Sequence, residues 1–211
     1  MNRQDWILTA VLAAFFLVGF AGHLSPATRP LMLGLTPFAL LVTAWIVAVP
    51  VVSERRVQVA VWAGAAFVAG FVVEAVGVAT GLVFGNYSYG TVLGPKLLGV
   101  PLLIGLNWPL VILGAVIFTV RFVRHPVAAA LIAGALTAGF DWVLEPFAVS
   151  AGYWTWQAGS IPVRNYIAWF LVSTILAFVF TSRKFSVRSP IPSIAVAIQV
   201  AFFFALRLLG A

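Results

Sequence analysis

The chain has no cysteine and few charged residues. Of its 211 residues, 12 are Lys or Arg, 5 are Asp or Glu and 2 are His. The absence of cysteine excludes disulfides, thiolate nucleophiles and thiolate metal sites. Charged residues make up 8% of the chain, whereas a soluble domain uses about 25%. The chain therefore has too few charges to cover the surface of a soluble domain.

Long apolar runs fill most of the sequence, since 63% of the residues are hydrophobic and the mean hydropathy is +1.12. A hydrocarbon core about 30 Å thick requires about 20 apolar residues per helix. We predict an all-α, polytopic membrane bundle that forms one domain over residues 1–211. About seven helices are expected, with six to eight possible because the first segment is short and Leu82 to Leu98 could form a re-entrant piece. The predicted segments are Trp6–Ala21, Pro30–Val52, Val57–Ala79, Leu97–Val120, Pro126–Val149, Asn165–Ser182 and Pro190–Leu209.

The basic residues predict the orientation of this bundle. With seven crossings, most of the Lys and Arg residues fall on the side of the N-terminus. Because cytoplasmic loops are enriched in Lys and Arg, we predict a cytoplasmic N-terminus and an external C-terminus in a prokaryotic cytoplasmic membrane. The net charge of +7 comes from single or paired basic residues at segment ends, so membrane lipid, and not nucleic acid, is the expected partner.

Three carboxyl groups lie within the predicted helices. Glu74 is in the outer half of the third segment, and Asp141 and Glu145 are in the outer half of the fifth. A charged side chain inside a bilayer costs about 2.5–3.5 kcal/mol on insertion scales, so each acid needs a partner or a function. Asp141 and Glu145 are four residues apart and share one helix face. Since Glu74 lies at a similar depth, we predict one pocket with three carboxyl groups. Asp5 and Glu54 lie at segment ends, where contacts with solvent or lipid headgroups are expected.

The three acids have a structural and a catalytic interpretation. In the structural interpretation they anchor helices through hydrogen bonds to polar neighbours, namely Asn107, Trp108, Tyr87 or Arg164. In the catalytic interpretation they repel one another when ionised in a medium of low dielectric constant, so at least one holds its proton at neutral pH. A protonated acid in an apolar cavity can serve as a general acid.

Two polar, aromatic loops flank the helices that carry these acids. The first runs from Gly81 to Lys96 and the second from Ser150 to Arg164. Their rings could form an interfacial belt, or they could be pocket walls that stabilise a carbocation through the ring quadrupole. The sequence leaves both interpretations open. The residues concerned are Tyr87, Tyr89, Tyr153, Trp154 and Trp156.

Metal and cofactor chemistry finds little support. His23 and His125 lie at segment ends on opposite sides of the membrane, so neither a haem site nor a two-histidine metal site is expected. The acids together with an Asn could bind a hard cation, but their spacing does not require it. A retinal Schiff base needs a lysine in the last helix, and the seventh segment has none. We expect no metal and no cofactor.

At these residues the chain resembles the carotenoid biosynthesis membrane proteins, a family that includes carotenoid 1,2-hydratases of the bisanhydrobacterioruberin and gamma-carotene type. The resemblance covers roughly Glu74 to Phe170. The matching stretches are Glu74–Gly81, Phe84–Tyr89, Leu93–Pro95, Gly99–Leu102, Asn107–Trp108, Asp141–Pro146, Gly152–Trp156, Ile161–Tyr166 and Trp169–Phe170.

The resemblance implies cofactor-free addition of water to the terminal C1=C2 double bond of an acyclic carotenoid end, which gives a tertiary alcohol. We expect Glu74 or Asp141 to donate the proton, and the other acid to position water together with Glu145. The substrate would come from the bilayer, and association with other carotenoid enzymes is possible. A carotenoid end-group cyclase, a proton or small-solute transporter and a scaffold are the alternatives. The expected supporting residues are Tyr87, Tyr89, Asn107, Trp108, Trp142, Trp154, Trp156 and Asn165.

Overall fold

A computed structural model describes residues 1–209. Seven of its helices are long and apolar enough to span a membrane, which confirms the predicted all-α, polytopic architecture and a count of seven crossings. The helices are α1 (Arg3–Leu24), α2 (Arg29–Gly34), α3 (Thr36–Ser53), α4 (Val57–Thr80), α5 (Leu102–Thr119), α6 (Pro126–Ser150), α7 (Val163–Ser182) and α8 (Ile191–Leu209). The strands are β1 (Tyr87–Tyr89), β2 (Lys96–Leu97), β3 (Val100–Pro101) and β4 (Trp154–Trp156).

Two predicted boundaries are wrong, and proline explains both. The second predicted segment is divided into α2 and α3 at Leu35, because Pro37 has no N–H to continue a helix from the preceding turn. The fourth predicted segment begins at Leu102 instead of Leu97. Pro101 is extended and caps α5, and a β2–β3 hairpin turns at Leu98 and Gly99, which have φ of 52° and 80°. Leu82 to Leu98 forms turns and short strands and contains no helix.

Helix α5 occupies the centre of the bundle. It is the most buried of the membrane-spanning helices, and it packs against α3, α4, α6, α7 and α8. Helices α6 and α7 approach closely because Gly134 has no side chain. A Cβ at this position would lie 2.1 Å from Thr174 Oγ1 and 2.9 Å from the Phe170 carbonyl oxygen. Small residues at such contacts allow helix backbones to pack tightly in membranes.

Asp5 and Glu54 fasten one end of the bundle. The Ser189 hydroxyl donates to Asp5 at 2.6 Å, and Glu54 accepts the backbone N–H groups of Arg188 and Ser189 at 2.9 and 3.0 Å. Burial opposes ionisation of Glu54, but these hydrogen bonds and the Arg56 guanidinium outweigh it and lower the pKa of Glu54. The expectation of simple solvent or headgroup contacts is wrong for Asp5, which is buried.

At the opposite end, the two aromatic loops form one antiparallel sheet of two strands. Tyr87 pairs with Trp156 and Tyr89 pairs with Trp154, with Ser88 and Thr155 between them. Because side chains alternate along a strand, the four aromatic residues point into the bundle and are buried, whereas Ser88 and Thr155 are exposed. This sheet closes the bundle above the predicted acidic pocket.

Candidate active site

Glu74 on α4 and Asp141 and Glu145 on α6 line one cavity of about 250 Å³. Their side chains are almost completely buried, with exposed fractions of 3%, 1% and 1%. Most of the cavity wall is apolar, and it includes rings from α6, α7 and α8. The structure thus brings the three acids together around a shared hollow, as their spacing and depth predict.

Glu74 accepts three hydrogen bonds. The Tyr87 and Tyr89 hydroxyls donate to Oε2 at 2.5 and 2.8 Å, and the Trp108 indole N–H donates to Oε1 at 3.2 Å. Burial and the neighbouring Glu74 charge raise the pKa of both tyrosines well above the ordinary value. The two hydroxyls therefore keep their protons and act as donors to Glu74.

Glu145 also accepts three hydrogen bonds, all of them from N–H groups. The indoles of Trp154 and Trp156 donate to Oε2 at 3.0 and 3.1 Å. The Asn165 amide donates to Oε1 at 3.4 Å. Hydrogen bonds of this kind stabilise the ionised form of a carboxyl group.

Asp141 has a sparser environment. The Asn165 amide donates to Asp141 Oδ2 at 2.6 Å, and within residues 1–209 this is the one hydrogen bond to the Asp141 side chain. Asn165, near the start of α7, therefore bridges Asp141 and Glu145. The pairing works because the acids lie one turn apart on the same face of α6.

The two-stranded sheet connects the two fully hydrogen-bonded acids. Strand β1 supplies both tyrosine donors of Glu74, and strand β4 supplies both tryptophan donors of Glu145. The rings of Tyr87 and Trp156 are 5.1 Å apart between centroids, and those of Tyr89 and Trp154 are 5.9 Å apart. The rings of both loops thus line the cavity and are buried, so they do not form an exposed interfacial belt.

The remaining predicted residues occupy different positions. Asn107 lines the cavity, whereas Trp108 lies behind Glu74, fully buried and stacked on Trp169 at 3.9 Å between ring centroids. Trp142 does not line the cavity, so its predicted placement is corrected. It is 50% exposed, and the Arg207 guanidinium lies 4.4 Å from its ring centroid. Consecutive helix residues point about 100° apart, so Trp142 lies on a different face of α6 from Asp141.

Sequence reasoning missed polar residues at the cavity, among them Thr36 and Gln199. Tyr153 donates or accepts a hydrogen bond with Thr36 at 3.1 Å, and burial raises the pKa of Tyr153 to about 12. Gln199 on α8 lines the cavity, is 2% exposed, and its amide nitrogen has no protein partner among residues 1–209. Gln199 could have been found from the sequence, because it is an isolated polar residue in the last apolar segment.

The structure also tests which of the predicted polar neighbours bind the acids, and whether the acids form a metal site. Trp108 and Tyr87 do bind Glu74, but in the described part of the chain the one ion pair joins Arg56 and Glu54, so Arg164 anchors none of the buried acids. Within the same residues, no group of three acidic, His or Cys side chains has the arrangement of a metal site.

Comparison with known proteins identifies the family of the chain. A family model described as "Carotenoid biosynthesis protein" matches residues 34–210. The bisanhydrobacterioruberin hydratase of Haloarcula japonica is 29% identical over 184 residues, which cover 81% of this chain and 63% of that protein. The chain therefore spans less than two thirds of the length of this curated relative. No solved structure matches the chain.

Proposed function

Because the chain belongs to the carotenoid biosynthesis protein family, we propose that it is an integral membrane hydratase that acts on an acyclic carotenoid. It adds water to the terminal C1=C2 double bond without a cofactor. The observation that carries this proposal is the set of three buried acids around one apolar, aromatic cavity. A relative with the name of a hydratase supports it.

Asp141 is the proton donor in this proposal. Glu74 and Glu145 each accept three hydrogen bonds, which favour their ionised forms. Asp141 accepts one, and ionised neighbours disfavour a further negative charge on it. The sequence leaves the donor open between Glu74 and Asp141, and the hydrogen bonds favour Asp141.

The reaction begins when the Asp141 O–H transfers its proton to C2 of the double bond. The π electrons form the new C–H bond and leave a tertiary cation at C1. The aromatic faces of Tyr87 and Trp156, which line the cavity, and the Glu145 carboxylate stabilise this cation.

Water completes the reaction. Its oxygen forms a bond to C1, and the proton that it loses passes to Glu145. The Asn165 amide binds both Glu145 and Asp141 and so holds the two acids close together. Transfer of the proton from Glu145 to Asp141 then restores the starting state. The reaction adds one water to the double bond and needs no external oxidant or reductant.

Two amide variants test these roles. Asp141→Asn and Glu145→Gln keep the shape of the side chains but remove the acid and the base. General acid–base catalysis contributes about 10²–10⁴-fold, so we expect losses of that order in each variant. Activity is measured in membranes that contain an acyclic carotenoid, as product that is heavier by one water in mass spectrometry.

Trp142→Phe is the matched control, because Trp142 neighbours Asp141 but lies off the cavity. It should hydrate the substrate at the wild-type rate. Full activity of Asp141→Asn would refute the assignment of the proton donor. A product with unchanged mass would identify a cyclase instead, because cyclisation adds no atoms.

We also propose an orientation for the site. If the side rich in Lys and Arg is cytoplasmic, the N-terminus is inside, the C-terminus is outside and the β1–β4 sheet faces the exterior. Accessibility of an introduced cysteine at Ser88, which is exposed, to a membrane-impermeant thiol reagent in intact cells tests this orientation. Labelling only after the cells are broken would reverse it.

A further inference from the structure

The cavity reaches the membrane-facing surface of the bundle between two helices. Its wall includes Val18 of α1 and Phe38 of α3, and these side chains are 68% and 58% exposed. Gly19 and Ala39, the next residues along the two helices, also line it. A residue that is both exposed and part of the cavity wall marks the place where the cavity opens.

The packing of the helices explains this opening. Helix α1 packs on α8, while α3 packs on α5 and α8. Helix α8 therefore lies behind the space between α1 and α3, and Gln199, Phe202 and Phe203 of α8 line the same cavity. The small residue Gly19 leaves room at this point, since a Cβ there would meet only Phe202, at 3.7 Å.

The chemistry of the opening fits a hydrocarbon chain. The side chains that border it, Val18, Phe38 and Ala39, carry no polar atom, so the opening offers a passing molecule no hydrogen bond. The volume of the whole cavity, about 250 Å³, is below the range of about 300–1,000 Å³ that is typical of pockets for drug-sized ligands. A long polyene can therefore place its end in the cavity but must leave the rest of its length outside.

From these observations we infer that the space between α1 and α3 is a lateral portal. The end of an acyclic polyene enters through it directly from the bilayer and reaches the three acids, while the remainder of the chain lies between Val18 and Phe38 and extends into lipid. This inference rests on the proposed function for the identity of the occupant, but its test measures binding and not hydration.

The absence of cysteine from the chain permits a test by site-specific photo-crosslinking. Single cysteines are introduced at Val18 and at Phe38 and labelled with a diazirine maleimide. The matched controls are Leu17→Cys and Leu41→Cys, which are 66% and 51% exposed on the same two helices but do not line the cavity. The four labelled proteins are irradiated in membranes that contain an acyclic carotenoid, and adducts are identified by mass spectrometry.

We expect several-fold more carotenoid adduct at positions 18 and 38 than at positions 17 and 41, and this excess should saturate as the carotenoid content of the membrane rises. Equal yields at all four positions, or adducts with fatty acyl chains alone, would overturn the portal. Hydration by the unlabelled protein is measured in parallel. An excess at 18 and 38 without hydration would refute the proposed function and leave the portal standing, whereas hydration without that excess would refute the portal alone.

Discussion

The backbone of helix α4 passes close to Trp108 at Gly70. A Cβ at this position would lie 2.4 Å from Cγ, 2.5 Å from Cδ1 and 2.7 Å from Cβ of Trp108. Trp108 has little freedom to move away, because it is fully buried and stacked on Trp169. The variant Gly70→Ala must therefore displace a ring whose N–H donates to Glu74.

The size of the effect follows from these contacts. Overpacking of a close-packed interior costs about 1–3 kcal/mol. If the strain is relieved by turning Trp108 away, Glu74 loses a hydrogen bond to a charged group, which is worth about 1.5–3 kcal/mol. Since 1.36 kcal/mol corresponds to a tenfold change in rate, loss of this bond in the transition state lowers hydration by about 10- to 160-fold.

Two measurements test this prediction: the hydration rate in membranes, and the thermal unfolding midpoint in detergent followed by tryptophan fluorescence. Gly64→Ala is the matched control on the same helix, because a Cβ at Gly64 would meet no atom within 4 Å. We expect Gly70→Ala to lower both quantities and Gly64→Ala to lower neither. If Gly70→Ala unfolds and hydrates like the wild type, Trp108 does not hold Glu74 in the way we describe.

Three further predictions concern other parts of the molecule. Trp154→Phe keeps an aromatic ring but removes one N–H donor of Glu145, so hydration should fall by about 10- to 160-fold, as expected for a charged hydrogen bond of about 1.5–3 kcal/mol. An unchanged rate would contradict the role of Glu145. Glu54→Gln should lower the thermal unfolding midpoint at neutral pH, because a carboxyl group with a lowered pKa stabilises the folded state only when ionised. The difference from wild type should begin to shrink below the ordinary glutamate pKa of about 4.3 and should disappear as the pH falls through the lowered pKa of Glu54. A pH-independent difference would mean that the charge of Glu54 is not responsible. Gly90→Ala would place a Cβ 2.0 Å from the Gly152 carbonyl oxygen, so it should separate β1 from β4 and abolish hydration, and wild-type activity would show that the sheet is not needed.

The membrane helices could be predicted because the length of an apolar run is a local property of the sequence. The errors fall where proline and turn geometry intervene. Pro37 divides one predicted helix at Leu35, and Pro101 with Gly99 delays the start of α5. A hydrophobic stretch continues through both places, so hydropathy alone does not detect the break.

The shared position of the three acids could also be predicted, since helix periodicity puts Asp141 and Glu145 one turn apart on the same face and depth aligns them with Glu74. Their hydrogen-bond donors could not be assigned in the same way. The pairing of β1 with β4 joins segments that are far apart in the chain, and no local pattern specifies such a register. Trp142 shows the opposite error, because it follows an inward-facing acid but points outward.

The β1–β4 sheet affects how a hydrophobic polyene and water can reach the same site. Its inner face consists of the aromatic side chains around the acids, and its outer face carries Ser88 and Thr155 in contact with solvent. A hydrophobic substrate that enters laterally from the lipid would therefore stop beneath this sheet, one layer of polypeptide away from the aqueous phase. A water molecule would have to cross only this layer to reach the acids, while the hydrocarbon chain stays on its inner side.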